Sequence, residues 1–198
     1  MTWYIIVGVV VILIIVFIVT YNGLVRLRNQ VKNAWAQIDV QLKRRHDLIP
    51  NLVETVKGYM KYERATLEAV TNARNLAQAG ASASPAERAK LEGELGGVLS
   101  RLLAVVENYP DLKANQDFLN LQEQLTSTEN KISFSRQYYN DSVLSYNNRT
   151  QMFPSNMVAS MTGFKASEFF EVKAPEEREA PKVSFATEPK TDTKVDTK

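Results

Sequence analysis

WYIIVGVVVILIIVFIVTY, from Trp3 to Tyr21, is the stretch on which the fold turns. Between Ile5 and Val19 it holds fourteen Val, Ile, Leu and Phe residues, one glycine (Gly8) and no charge. Each such side chain favours the bilayer centre by about 0.3–0.6 kcal/mol, so the run contributes about 4–8 kcal/mol. As a helix it spans about 28 Å, close to the hydrocarbon thickness. Trp3 and Tyr4 at one end and Tyr21 at the other stand where amphipathic rings meet the headgroups. A helix apolar on every side must be covered on every side. The rest of a 198-residue chain has too little to cover it with protein. Residues 1–22 are therefore expected to form a membrane anchor, with Trp3, Tyr4, Ile5, Ile12, Phe17 and Tyr21 meeting lipid or its interface.

A cleaved leader has a basic start, a short apolar centre and a small-residue cleavage site. No Lys or Arg precedes this run, and Tyr21-Asn22-Gly23-Leu24 offers no small-x-small pattern. A retained single anchor is expected. Arg26, Arg28 and Lys32 all follow it and precede the first acid, Asp39. By the positive-inside rule these residues set the topology, with the N-terminus outside and the larger C-terminal part in the cytoplasm. The absence of cysteine suits a reducing compartment.

Beyond the anchor, the composition is that of a folded chain rather than a disordered one: 44% hydrophobic and 23% charged. A net charge of +2 gives no ground for nucleic acid. Alternating strand patterns and Asn-Gly or Asp-Gly turns are missing after the anchor, whereas helical spacing recurs. Leu24, Leu27, Val31, Ala34, Ile38 and Gln41 repeat at threes and fours, and Trp35, Leu42, Ile49 and Val56 at sevens. Only Gly23 separates this stripe from the anchor, so one helix is expected to run through both. Pro50 lacks an amide donor and disfavours helical geometry at Ile49, which predicts a kink or short break. The stripe resumes through Leu52, Val53, Val56, Tyr59 and Met60 and continues through Leu67, Val70, Ala73 and Ala77.

Residues 78–84 read as a loop. Ser84, Pro85 and Glu87 form a helix start, with Ser84 as N-cap, Pro85 at the first position and Glu87 at the third. Leu91, Leu95, Val98, Leu102 and Val105 make the buried seam of the helix that follows. Gly93, Gly96 and Gly97 weaken it by up to about 1 kcal/mol each, and are read as sites of close helix approach. Asn108-Tyr109-Pro110-Asp111 is a turn. Phe118, Leu121, Leu125, Thr128, Ile132, Ser135, Tyr139, Val143 and Tyr146 then follow a near-heptad, the mark of a long helix facing other helices. The polar members of that seam need partners when buried. Phe153-Pro154 ends it, Met157 to Met161 makes one more turn stopped by Gly163, and Phe164, Phe169 and Phe170 read as plugs docking on the bundle. From Glu171 on, proline, Glu, Lys and Thr without apolar period predict a disordered tail, with Val183-Ser184-Phe185 as its one apolar spot.

The chain is thus all-α: a transmembrane helix (residues 1–22), a bundle of three to four long helices (23–170) and a polar tail (171–198). Lys43-Arg44-Arg45-His46 is the densest basic cluster, but helical neighbours point about 100° apart and make no stripe. Its stems are expected to cover apolar surface while the charged heads stay in water. One histidine and no cysteine serve zinc poorly. No Glu-x-x-His pair, phosphate-binding glycine loop or strained nucleophile turn is present. No catalytic, cofactor or metal residue is therefore assigned.

Several separated motifs resemble the LemA family. They begin with Tyr21-Asn22, Leu24-Val25, Val31 to Trp35 and Gln41-Leu42. Arg45 and Asp47-Leu48-Ile49-Pro50-Asn51-Leu52-Val53 follow, then Glu107-Asn108-Tyr109-Pro110-Asp111-Leu112-Lys113-Ala114-Asn115. The last are Leu125, Thr128-Glu129-Asn130, Arg136, Tyr139-Asn140, Tyr146-Asn147 and Phe153-Pro154. The likeness spans residues 1 to about 170. It implies a bacterial membrane protein with one N-terminal anchor and a long antiparallel helical domain, no assigned catalytic residues, and members often encoded near a membrane metalloprotease. Arg45, Asp47, Asn130 and Arg136 are candidates for a buried polar network between the two long helices.

The expected function is a non-enzymatic scaffold of the bacterial inner membrane. It would touch lipid, self-associate into a homo-oligomer or recruit a partner protein, and bind no nucleic acid. An adaptor or regulator of a membrane protease or envelope-stress system is the alternative. A carboxylate-based hydrolase or metal-dependent enzyme is the reading from another class.

Overall fold

The structure, a computed structural model, describes residues 1–60 and 62–171. The polar tail from Val172 on, including Val183-Ser184-Phe185, lies outside them. The described residues contain helices and no strand. In chain order they are α1 (Thr2–Lys57), α2 (Arg64–Ala79), α3 (Pro85–Val106), the single turn α4 (Pro110–Lys113), α5 (Gln116–Gln151) and α6 (Ser155–Thr162).

Helix α1 has 56 residues, about 84 Å at the standard rise. It passes through Gly23 and Pro50 without interruption, so the break expected at Pro50 does not occur. Its first eighteen residues, which include the apolar run, are exposed, and Thr20 is the first buried residue of the chain. From there one buried seam repeats every seven residues: Leu24, Val31, Ile38, Arg45 and Leu52. Helix α5 answers with Phe118, Leu125, Ile132, Tyr139 and Tyr146 at the same spacing, all buried. Two seams of period seven are what pair long helices side by side.

The pairing is antiparallel and unslipped. Tyr59 receives a hydrogen bond from Asn115 at 3.1 Å, Arg45 meets Glu129 at 2.8 Å, and the Trp35 and Tyr139 rings lie 5.2 Å apart. Fourteen and then ten residues back along the first chain segment match fourteen and ten forward along the second.

The stripe read through residues 52–77 does not belong to one helix. Helix α1 ends at Lys57, and the chain turns before α2 starts at Arg64. Helices α2 and α3 form a hairpin laid on the far half of α1. Ser84 caps α3 as expected, its Oγ accepting from the Glu87 amide at 3.4 Å. Asn115 caps α5 through Oδ1 to the Phe118 amide at 2.9 Å. The close approach expected at the α3 glycines is absent at Gly96 and Gly97, where an added Cβ would meet nothing within 4 Å.

Two apolar cores result. The far one gathers Ile49, Leu52 and Val56 with Val70, Leu95, Leu102 and Phe118. The near one gathers Val31, Ala34, Ile38 and Leu42 with Ile132, Tyr139, Val143, Tyr146 and Phe170. Between Leu42 and Ile49 lies a polar layer. A third, small cluster of Leu24, Val158 and Ala159 holds α6 to the end of α1 that carries the apolar run.

Candidate functional site

The polar layer starts from Arg45, which occupies a seam position that Leu, Val or Ile fills elsewhere in α1. Its side chain is 3% exposed. Nη2 pairs with the Glu92 carboxylate, itself 5% exposed, and donates to the Glu92 carbonyl at 3.2 Å. Nη1 donates to Glu129 Oε2 at 2.8 Å. His46, also buried, hydrogen-bonds Glu92 Oε2 through Nε2 at 3.3 Å. A carboxylate only accepts, so that ring nitrogen carries the proton. Burial pushes the Glu92 carboxyl up, but the His46 hydrogen bond and the Arg45 charge outweigh it and hold the group below its ordinary 4.5. Glu92 is thus an anion clamped by a guanidinium and an imidazole from successive residues of α1. Arg88, one turn earlier on α3, is buried too; it pairs with Asp39 and lies over the Trp35 ring at 5.2 Å.

Pro50 adds a second element. Its missing amide leaves the His46 carbonyl, four residues back, without an intrahelical donor. Arg74 Nε of α2 donates to that carbonyl at 2.8 Å. The kink-or-break signal in the sequence is therefore a tertiary contact: α2 supplies the hydrogen bond and α1 stays helical.

Of the four residues expected to form a buried network, only Arg45 does so. Asp47, Asn130 and Arg136 are exposed. Asp47 stands two residues, about 200°, round the helix from Arg45, so it turns out to water when Arg45 and His46 turn in. Asn130 is likewise displaced by Glu129, and Arg136 lies over the Phe170 ring at 5.5 Å. The expectation that the heads of the 43–46 cluster stay wet fails for Arg45 and His46 and holds for Lys43 and Arg44, which are exposed. Glu92, Arg74 and Arg88 were not singled out by sequence reasoning, and Glu129 entered only as part of the Thr128-Glu129-Asn130 motif. The signal for the cluster was the charge of Arg45 inside the seam Leu24, Val31, Ile38, Leu52.

In the polar seam of α5, Thr128 donates to the Gln124 carbonyl of its own helix at 2.7 Å, while the tyrosines find their partners in an extended strap after α6. Asn147 brackets Ser167, accepting from its amide at 2.8 Å and donating to its carbonyl at 2.9 Å. Seven residues earlier, Asn140 accepts from the Phe170 amide at 2.9 Å and donates to its carbonyl at 3.4 Å. Tyr146 and Tyr139 donate to the carbonyls of Lys165 and Glu168, each at 2.9 Å. Two Tyr-Asn pairs thus grip backbone units three residues apart. Seven helical residues rise about 10 Å, as do three extended ones, so the two periods match. Burial raises both phenols above their usual 10.0, with Glu168 adding to the shift at Tyr139 and Arg28 opposing it at Tyr146. Phe170 fills the near core against Trp35 at 5.8 Å, as expected of a plug.

The anchor residues Trp3, Tyr4, Ile5, Ile12, Phe17 and Tyr21 are all exposed, on the chain's one helix long and apolar enough to cross a membrane among the described residues. Arg26, Arg28 and Lys32 are exposed just beyond it, Arg28 lying over the Phe164 ring at 4.9 Å. Among the described residues no group of three or more His, Cys, Asp or Glu is placed to hold a metal ion.

Comparison with known proteins agrees with these features. A family model described as LemA family matches residues 34–185. The chain is 26% identical over 188 residues to magnetosome protein MamQ 2 of Paramagnetospirillum magneticum, covering 81% of this chain and 69% of that one. It is 26% identical over 144 residues to protein LemA of Metamycoplasma hominis, covering 73% of this chain and 65% of that one.

Proposed function

The chain belongs to the LemA family, and from that premise we propose that it is a non-catalytic scaffold. One helix anchors it in the bacterial inner membrane, the N-terminus outside and the bundle in the cytoplasm. There it self-associates or holds a partner protein at a fixed height. The observation that carries this reading is α1 itself. The lipid-length run and the longest helix of the bundle are one rod, Thr2–Lys57, with no linker between them. Some 35 residues beyond Tyr21 extend about 50 Å from the membrane surface. A rigid mast keeps every contact surface in register with the bilayer, and tethering raises local concentration so that weak contacts suffice.

The relatives named above carry no enzyme's name, which supports a non-catalytic reading. The buried layer does too: Arg45 and His46 are paired with the Glu92 carboxylate. A polar layer between two apolar cores fixes the register of long helices, a role well attested in coiled coils. Mass measurement of the full chain extracted in mild detergent tests the proposal. Multiples of the chain, or a second membrane protein held stoichiometrically, are expected. A strict monomer with nothing bound would overturn it.

A further inference from the structure

The end of the bundle nearest the apolar run carries an unusual surface. Helix α6 turns Val158 and Ala159 onto Leu24, and the Phe164 ring after it stands edge-on to Tyr21 at 5.8 Å. Leu24 lies one turn beyond Thr20, so α6 sits at the level where the exposed apolar run stops and burial begins. Its outer surface has two flanks. Asn156 and Ser160, four residues apart, form a polar one; Met157 and Met161, also four apart, form an apolar one. Met152 and Phe153 lead into it. All four of these large apolar side chains are exposed, Phe153 to 79% and Met161 to 76%.

Charge is distributed to match. Residues 1–38 contain no Asp or Glu, nor do residues 142–167, which form the end of α5, α6 and the start of the strap. The same stretches contain Arg26, Arg28, Lys32, Arg149 and Lys165, all exposed. An end with cations, no carboxylates and an apolar rim has the makeup of a surface that meets anionic headgroups and the acyl boundary beneath them.

We infer that the Met152, Phe153, Met157 and Met161 flank of α6 is a second membrane contact, a foot inserted into the interface of an anionic bilayer beside the anchor. This rests on the anchoring reading above. The foot prolongs the lipid-facing surface of α1 onto a second element. A single-span helix pivots freely about its own axis; two contacts fix the azimuth and tilt of the mast. Methionine suits the position, because its flexible thioether adapts to a disordered boundary.

The chain has no cysteine, so single probes can be placed without background. The full chain would be reconstituted in phosphatidylcholine vesicles with and without phosphatidylglycerol. Met157→Cys, Met161→Cys, Ser160→Cys and Ile12→Cys variants would each carry an environment-sensitive fluorophore. At Met157 and Met161 we expect a blue shift and loss of intensity to nitroxide-bearing lipid, larger with phosphatidylglycerol; at Ser160 the loss should come from aqueous iodide instead. Quenching at Ile12 by nitroxide lipid reports the anchor separately. If Ile12 is not quenched, the anchoring reading fails. If Ile12 is quenched while Met157 and Met161 are not, the foot is overturned, whether those probes meet water or a second copy. Equal quenching with and without phosphatidylglycerol overturns the anionic preference.

Discussion

Arg74 gives the His46 carbonyl, at 2.8 Å, the hydrogen bond that Pro50 withholds. The donor is charged and lies 28 residues away on another helix, so the integrity of α1 at its proline depends on the docking of α2. Hydrogen bonds from charged donors contribute about 1.5–3 kcal/mol. Replacing Arg74 with Met, which keeps the stem, should lower stability by that order. In a Pro50→Ala background the restored amide serves the same carbonyl, and the Arg74→Met cost should shrink. Chemical unfolding of the four variants in detergent micelles measures the coupling; equal costs in both backgrounds would refute the linkage.

The Arg45–Glu92 pair should behave as a unit. Glu92→Gln leaves the Arg45 guanidinium with only the half-exposed Glu129 as counter-charge; breaking a buried pair outright costs about 3–5 kcal/mol, and the loss here should approach the lower end. Arg45→Met combined with Glu92→Leu removes both charges and should recover most of that loss, since apolar replacements of buried pairs are often neutral or better. A double variant no more stable than either single one would contradict this account.

Acid should loosen the same layer. The Glu92 carboxyl lies below its ordinary 4.5 in the folded chain. Its contribution is therefore complete above that value and is lost as pH falls through the lower folded-state value. Unfolding midpoints compared between pH 6 and pH 3 should fall more steeply in the parent chain than in Glu92→Gln.

The strap depends on side chains of α5 rather than on a sheet. Asn147→Ala removes two bonds to Ser167 and should free the backbone around it. Amide exchange at Ser167 should accelerate markedly, with a stability loss of about 1–2 kcal/mol. High pH attacks the same strap: the raised phenols of Tyr139 and Tyr146 add stability that is full below 10.0 and disappears as pH rises through their folded values. Exchange at Ser167 no faster in Asn147→Ala would show that the strap is held otherwise.

Gly97 is exposed on α3 and a Cβ there meets nothing within 4 Å. Gly97→Ala should stabilise the chain by about 0.5–1 kcal/mol. Gly163 is the opposite case. Its φ of +75° ends α6, and the following amide of Phe164 closes onto the Ala159 carbonyl at 3.0 Å. Gly163→Ala should destabilise. Thermal midpoints of the two variants should move in opposite directions.

The sequence by itself determined the anchor run, the helical class, the cap at Ser84, the seam from Phe118 to Tyr146 and the plug at Phe170. Each is written in short-range chemistry: unbroken hydrophobicity, a period near seven, a hydroxyl before a proline. Tertiary structure decided the rest. Pro50 reads as a breaker until Arg74 arrives from α2, and the stripe through residues 52–77 gives no sign of the reversal after Lys57. Arg45 reads as polar, yet which acids face it depends on the docking of α3 and α5, and they are Glu92 and Glu129 rather than Asp47. Tyr139 and Asn140 look like awkward core residues until the extended strap lies against them. Periodicity tells which face of a helix is buried. It does not tell which distant donor or carboxylate will meet that face, because that depends on how separate helices pack, and no local pattern records it.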